Sequence, residues 1–477
     1  MNTFEVVIGL EIHAQLQTKT KAFCFVPAIF GDKENTQVGP VSGGLPGALP
    51  VLNKEAVHLA IRAGLALGCQ INEKSVFSRK NYFYPDLPKG YQISQFDEPL
   101  CGIGQIEVEV EGSKKTIGIQ RIHMEEDAGK SMHLAATSLV NLNRSGTPLV
   151  EIVSQPDIRN AAEAVAYLKK IHAILVFAGV SDGNMEEGNF RCDVNLSVRP
   201  LGQKEFGTRT EIKNLNSFRF IEKAIEFESA RQIATVSSGG KVIQETRGWD
   251  SAAGKTFSQR TKEEAHDYRY FPDPDLPPLL LTPEFIEQIR SEMPELPDAK
   301  RERFEKEYSL NSSNAELLTA SKDVAAYFEE CVAAGATPKA AASWVLSELL
   351  REIKEVEGAD IAQSPISPQQ IAELIALIEK GTISGKIAKT VFAEMFVSRK
   401  SPKQIVEEKG LVQVLDEAAI QAWIQQVITE NPSIVAEYKA GKEKVFAFLV
   451  GQVMKLSKGK ANPAVLGDKL KAALKGT

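Results

Sequence analysis

The chain has 477 residues, 43% hydrophobic and 25% charged, with a formal net charge of −6. That balance describes a globular protein of two to four domains and excludes one coated in basic surface. No apolar run is long enough to cross a bilayer, Met1-Asn2-Thr3-Phe4-Glu5 lacks the order of a signal peptide, and five scattered cysteines fit a reducing cytoplasm, so a cytoplasmic protein with no membrane partner is expected.

Residues Phe4 to Leu16 alternate, with Ile8, Leu10, Ile12, Ala14 and Leu16 pointing one way and Gly9, Glu11, His13 and Gln15 the other. This predicts a half-buried strand with a polar working face. A turn-rich stretch with Gly43-Gly44-Leu45-Pro46-Gly47 leads to a helix around Lys54 to Leu67. The basic and aromatic run Ser78-Arg79-Lys80-Asn81-Tyr82-Phe83-Tyr84-Pro85-Asp86 reads as an ordered loop. Ile117, Ile119 and Arg121 alternate into His123-Met124-Glu125-Glu126-Asp127-Ala128-Gly129, where three acids precede a glycine turn. Adjacent carboxylates repel, so such a run sits on a solvated loop or around bound cations.

A turn at Asn143 to Pro148 enters an apolar strand, Leu149 to Val153, and a helix follows from about Ala161 to Gly179. In the next strand Arg191, Asp193, Asn195, Ser197 and Arg199 share a face opposite Cys192, Val194, Leu196 and Val198. A shorter strand places Arg209, Glu211 and Lys213 together, and a helix runs from about Asn216 to Val236. The predicted fold is α+β: residues 1–292 form a mixed or antiparallel sheet with helices on one side and an open cavity on the other. Pro272, Pro274, Pro277, Pro278 and Pro283 mark a stiff linker to two all-helical domains, 293–400 and 401–477. The stretch from Lys439 to Thr477 holds nine lysines against Glu443 and Asp468, a local charge of +7 that leaves −13 for the remainder. Lys442, Lys444, Lys455, Lys458, Lys460, Lys469 and Lys471, many at helical spacing, suit a nucleic-acid backbone. Tyr438, Phe446 and Phe448 read as core rather than stacking platforms.

If the strands are neighbours, Glu11, His13, Glu125, Glu126, Asp193 and Glu211 converge. Oxygen ligands with a single imidazole suit Mg²⁺ or Mn²⁺ better than structural zinc. Arg79, Lys80, Arg191 and Lys213 lie on or near that surface, and metal-holding acids beside cations are what polyphosphate binding and phosphoryl transfer require. The bland alternative is a wet sheet face with charge pairs. Ala128-Gly129-Lys130-Ser131 and Ala253-Gly254-Lys255-Thr256 are not phosphate loops, because Met124 and Trp249 stand where the first glycine belongs. No convincing nucleophile is present: Cys192 falls on an apolar face, and His58 and His172 read as structural. His123, on the same strand as the acids, is a candidate to orient a ligand.

Several stretches together resemble the B subunit of the glutamyl/aspartyl-tRNA amidotransferase: Ile8 to His13, Arg79 to Asp86, His123 to Lys130, Asn143 to Leu149, Met185 to Gly188, Arg191 to Asn195, Glu211 to Ser217, Asp267 to Pro272 and Phe448 to Lys455. The resemblance implies ATP- and Mg²⁺-dependent phosphorylation of the side-chain carboxylate of Glu-tRNA(Gln) or Asp-tRNA(Asn), then amidation with ammonia from an amidase A subunit. A small C subunit would complete a heterotrimer, and the tail domain would contact tRNA. It carries Glu11, His13, Glu125, Glu126, Glu211 and Asp193 over as metal ligands, with Glu125, Glu126 and Glu211 catalytic, and Arg79, Lys80, Lys213 and Arg191 as phosphate or carboxylate contacts. The alternative is a noncatalytic tRNA-binding scaffold for the amidase; a free-standing ATP-dependent ligase would lack an ammonia source. Two departures stand out. Many members bind zinc through Cys-x-Cys and Cys-x-x-Cys, but here Cys24 remains while Val26 stands where the second cysteine would be and Gly39-Pro40-Val41-Ser42 replaces the later pair, so no structural zinc is expected. Asn141 stands where the family commonly has Asp.

Overall fold

A computed structural model describes residues 3–261, 267–355, 360–412, 417–457 and 463–476. Contacts divide the chain into two compact units, Met1–Pro297 and Asp298–Thr477.

The first unit is built on an eight-stranded sheet. Its strands are β1 (Phe4–Gln15), β2 (Gly104–Val110), β3 (Ser113–Glu126), β4 (Pro148–Ser154), β5 (Phe190–Pro200), β6 (Thr210–Lys213), β7 (Glu245–Asp250) and β8 (Lys255–Thr261), in the order β8-β7-β6-β5-β1-β4-β3-β2. Neighbours are antiparallel except β6 and β7. A parallel pair needs a crossover, and the helix between these two strands supplies it.

Helices α1 (Lys54–Ala66), α2 (Ala161–Phe177) and α3 (Phe218–Ser237) begin where Asn53, Asn160 and Ser217 accept hydrogen bonds from otherwise unpaired N–H groups of the first turn. Ile8, Leu10, Ile12 and Ala14 of β1 are buried in one core with Ile61 of α1, Leu168 and Ile171 of α2 and Ile221 of α3. The alternate residues of β1 from Gly9 to Gln15 are partly exposed, which leaves a polar face on the other side of the sheet.

Arg79 and Lys80, expected on a loop, lie in a strand, Phe77–Asn81, between Tyr91–Gln95 and Phe271–Pro272. Basic and aromatic residue types hid its alternation. The proline-rich stretch is likewise stitched to the first unit rather than spanning freely: Phe271–Pro272 pairs with Ser78 and Arg79, and Leu279–Leu280 with Lys74–Ser75. Pro272 accepts a place in this ribbon because the ribbon's edge needs no donor there.

Beyond Pro297 the described elements are helical. Ile420 to Leu474 contribute a separate cluster of buried apolar side chains. Tyr438 and Phe446 pack against it with ring centres 5.7 Å apart, whereas Phe448, expected in the core, is exposed. Lys458 and Lys460 lie outside the described residues.

Candidate cation and phosphate site

Strand register assembles the polar face. His123 of β3 lies across from Glu151 of β4, Glu151 across from His13 of β1, and His13 across from Arg191 of β5. Next to this row Glu11 faces Asp193, and one rung further Asn195 faces Glu211 of β6. The result is two clusters. In each of His13–Glu125–Glu151 and Glu11–Asp193–Glu211 one ligand atom per residue lies within 4.8 Å of the others. His13, Glu125 and Asp193 line a cavity of about 1190 Å³, and Lys80, Arg191 and Lys213 line it too.

The first cluster is held by charge. His13 Nε2 is 3.5 Å from both Glu125 Oε1 and Glu151 Oε2, and His123 Nε2 is 3.2 Å from Glu151 Oε2 and 3.9 Å from Glu125 Oε2. His123 is therefore within hydrogen-bonding distance of Glu151 but not of Glu125. Burial pulls the His13 pKa down, but hydrogen bonding to Glu151 and the charges of Glu151 and Glu125 outweigh it and lift the pKa to about 9. Burial alone would raise Glu151, yet the two imidazoles hold its carboxyl well below the usual range.

In the second cluster Asn195 Nδ2 donates to Glu11 Oε1 at 2.9 Å, Thr246 Oγ1 to Glu211 Oε2 at 2.8 Å, and Lys213 Nζ lies 2.8 Å from Asp193 and 3.1 Å from Glu211. Burial pushes the Glu11 carboxyl up, reinforced by Glu151, Asp193 and Glu211. Lys80 and Lys213 are both raised: burial opposes their charge, but Glu125 and Glu151 act on Lys80 and Asp193 and Glu211 on Lys213. Concentrated negative charge and oxygen donors, joined in the first cluster by one imidazole, fit a hard divalent cation in each cluster.

Two predicted residues are not brought to these clusters. Glu126 follows Glu125 on a strand and points to the opposite face, where it pairs with Lys89 and accepts the Ile93 N–H at 3.0 Å. Arg79 alternates away from Lys80: its guanidinium reaches Asp273 at 2.9 Å and Asp275 at 2.8 Å and lies 4.2 Å from the Tyr91 ring centre. Arg191 lines the cavity but is engaged by Asp127 at 3.0 Å, which also meets Arg144 at 3.4 Å and accepts from Gln15 Nε2 at 3.1 Å. Glu151, absent from the sequence-based set, belongs to the first cluster. A charged residue inside Leu149-Val150-Glu151-Ile152-Val153 was the available signal.

The four positions of the zinc motif do converge. A β-carbon on Gly39 would lie 2.6 Å from Val26 Cγ2 and 3.1 Å from Cys24 Sγ, and Cys24 Sγ is 3.8 Å from Ser42 Oγ. One thiol, one hydroxyl and a valine do not fit tetrahedral zinc.

Residues 6–287 match the family described as the GatB/GatE catalytic domain, and residues 326–474 match the GatB domain family. Sheet domain and helical region together therefore define an amidotransferase component of the GatB type. The chain is 58% identical over 478 residues to the B subunit of the aspartyl/glutamyl-tRNA(Asn/Gln) amidotransferase from Geobacter sulfurreducens, covering 99% of this chain and 100% of the relative. It is 58% identical over 478 residues to the B subunit from Geotalea uraniireducens, with the same coverage, and 55% identical over 473 residues to that from Persephonella marina, covering 99% and 100%. The chain belongs to the family of aspartyl/glutamyl-tRNA(Asn/Gln) amidotransferase B subunits.

Proposed function

We propose that this subunit phosphorylates the side-chain carboxylate of Glu-tRNA(Gln) or Asp-tRNA(Asn) with ATP in the cytoplasm, and that ammonia then displaces phosphate to give the amide. A carboxylate is a poor acyl donor and phosphate a good leaving group. The observation that supports this best is the pair of acid clusters beside a cavity lined by Lys80, Arg191 and Lys213.

His13, Glu125 and Glu151 would hold one Mg²⁺ or Mn²⁺, and Glu11, Asp193 and Glu211 a second. A divalent cation held there would supply positive charge against the polyphosphate as negative charge develops. Lys80 and Lys213, kept protonated by the neighbouring acids, supply fixed positive charge for the transferring phosphoryl group. The substrate carboxylate attacks the γ-phosphorus and ADP leaves; ammonia attacks the acyl carbon and phosphate leaves. Glu126 and Arg79 are engaged elsewhere and are not part of this set. The ammonia comes from a partner amidase A subunit, with a small C subunit completing the heterotrimer, and the basic tail contacts tRNA.

Purified complex carrying Glu125→Gln should lose ATP-dependent amide formation by at least about a thousandfold while glutamine hydrolysis continues. Equal loss of both activities would assign Glu125 a structural role. No ATP turnover by the native complex with misacylated tRNA would favour the scaffold reading.

A further inference from the structure

A wall of aromatic rings stands beside the cavity. Tyr82 lines the cavity with Lys80, and its ring meets Tyr268 at 6.0 Å and Tyr84 at 6.3 Å between centres. Tyr268 continues to Tyr270 at 6.1 Å, and Tyr270 lies stacked on Phe96 at 4.2 Å with 8° between planes. These are not core residues. Tyr82, Tyr268 and Tyr270 are half-buried, while Tyr84 and Phe96 are exposed. Aromatic side chains normally stabilise a fold by burying their large apolar area, so contiguous rings left near solvent and a functional cavity call for another explanation.

The backbone beneath the wall is built to hold it. Asn81 donates its own N–H to the Tyr268 carbonyl at 2.9 Å, and its side-chain Nδ2 to the carbonyls of Tyr268 at 3.1 Å and Arg269 at 2.8 Å. Arg269, gripped in this way, has φ +44°, a left-handed conformation that costs a non-glycine residue energy. The clamp therefore maintains a strained turn, and the two residues on either side of that turn are the tyrosines of the wall. Lys80 Nζ sits 4.8 Å from the Tyr268 ring centre and joins the wall to the acid cluster, whose Glu125 lines the same cavity.

We propose that Tyr82, Tyr268 and Tyr270 form a stacking subsite for an adenine ring. Adenine is common to ATP and to the 3′-terminal adenosine of an acyl-tRNA, and the subsite would orient whichever of them presents its base there. The proposal deepens the phosphoryl-transfer reading and rests on it. A π-face that meets tyrosine rings gains stacking energy, the phenolic edges tolerate a polar heterocycle, and Lys80 lies where a phosphate or ribose next to that base would enter the cavity.

The test measures binding to the complex of Mg–ATP, of Mg–tripolyphosphate, and of acceptor-stem minihelices ending in adenosine or in an abasic sugar. Tyr82→Leu and Tyr268→Leu should each weaken one adenine-bearing ligand about tenfold, with tripolyphosphate and the abasic minihelix unchanged; Tyr→Phe at either position should retain native affinity. Weakening of ATP alone assigns the subsite to the nucleotide, and weakening of the adenosine-ended minihelix alone assigns it to tRNA. Unchanged affinity for both adenine ligands overturns the proposal, as does parallel loss of tripolyphosphate binding or loss of subunit assembly with nucleotide binding intact. Should native protein fail to bind tripolyphosphate, the phosphoryl-transfer reading falls instead, and free adenosine titrated against the same variants still decides the wall.

Discussion

Glu151 lies between two imidazoles in the middle of an apolar strand, and its charge accounts for much of the behaviour of its neighbours. It supplies the principal forces that raise His13. Glu151→Gln should therefore drop the His13 pKa from about 9 toward the ordinary imidazole value, read by NMR titration, and weaken divalent-cation binding at least about tenfold. A second buried group gives a pH dependence of opposite kind. Lys21 is fully buried with Nζ donating to the Ser145 carbonyl at 2.5 Å, and burial lowers its pKa to about 8. Between pH 8 and 10.5 the unfolded chain keeps the proton that the folded chain has released, so this residue makes stability rise with pH across that window. Lys21→Met should remove that rising limb, about 3 kcal/mol of it, in denaturant melts from about pH 7 to 10.5. Residue types alone flagged Glu11, His13, Glu125, Asp193 and Glu211. They passed over Glu151, because its apolar neighbours read as core and masked the one charged residue among them, and they grouped Glu126 with Glu125 although adjacent strand residues face opposite ways.

At the level of elements, two ion-pair networks fasten pieces distant in sequence. Asp273 has a fully buried carboxylate held by Arg79, and the two are 194 residues apart. Arg79→Met should cost about 3 kcal/mol in urea unfolding by leaving that charge buried and unpaired, while polyphosphate affinity is unchanged. A phosphate-binding arginine would show the reverse. Glu228 of α3 is also fully buried and accepts from Arg231, Gln232 and Thr256 at 2.6 to 2.9 Å, with Arg247 of β7 at 3.5 Å. Glu228→Ala should lose about 3 kcal/mol and loosen β7 and β8 from the helix, seen as faster amide exchange in those strands. Clean alternation made β1 and β5 legible in the sequence, and the three helices predicted around Lys54 to Leu67, Ala161 to Gly179 and Asn216 to Val236 match α1 to α3 within a few residues. The strands β7 and β8 and the ribbon at Phe77–Asn81 were not legible, because Trp249, Arg247 and Arg79 follow pairing partners rather than a local polar–apolar rhythm.

Taken whole, the molecule separates charge along the chain. Acid clusters lie in the unit that ends at Pro297, and the lysine-rich stretch lies beyond Tyr438. Lys444 and Lys455 are exposed, Lys442 reaches Glu437 at 3.3 Å, and Lys471 covers the Phe446 ring. If the tail grips a phosphate backbone, Lys444→Glu with Lys455→Glu should weaken tRNA binding by the complex and flatten its salt dependence by about one unit of slope for each phosphate no longer neutralised, leaving ATP affinity intact.

The rung that joins His123, Glu151, His13 and Arg191 has a consequence for how this protein can fail. Because each of these side chains reaches its neighbour only through the pairing of its strand, sliding β1 by a single residue would carry Glu11 and His13 into oil and lift Leu10 and Ile12 into water. Damage to the greasy side of that strand should then appear as a smaller population of fully competent molecules, each with native cation affinity, rather than as a uniform softening of the whole.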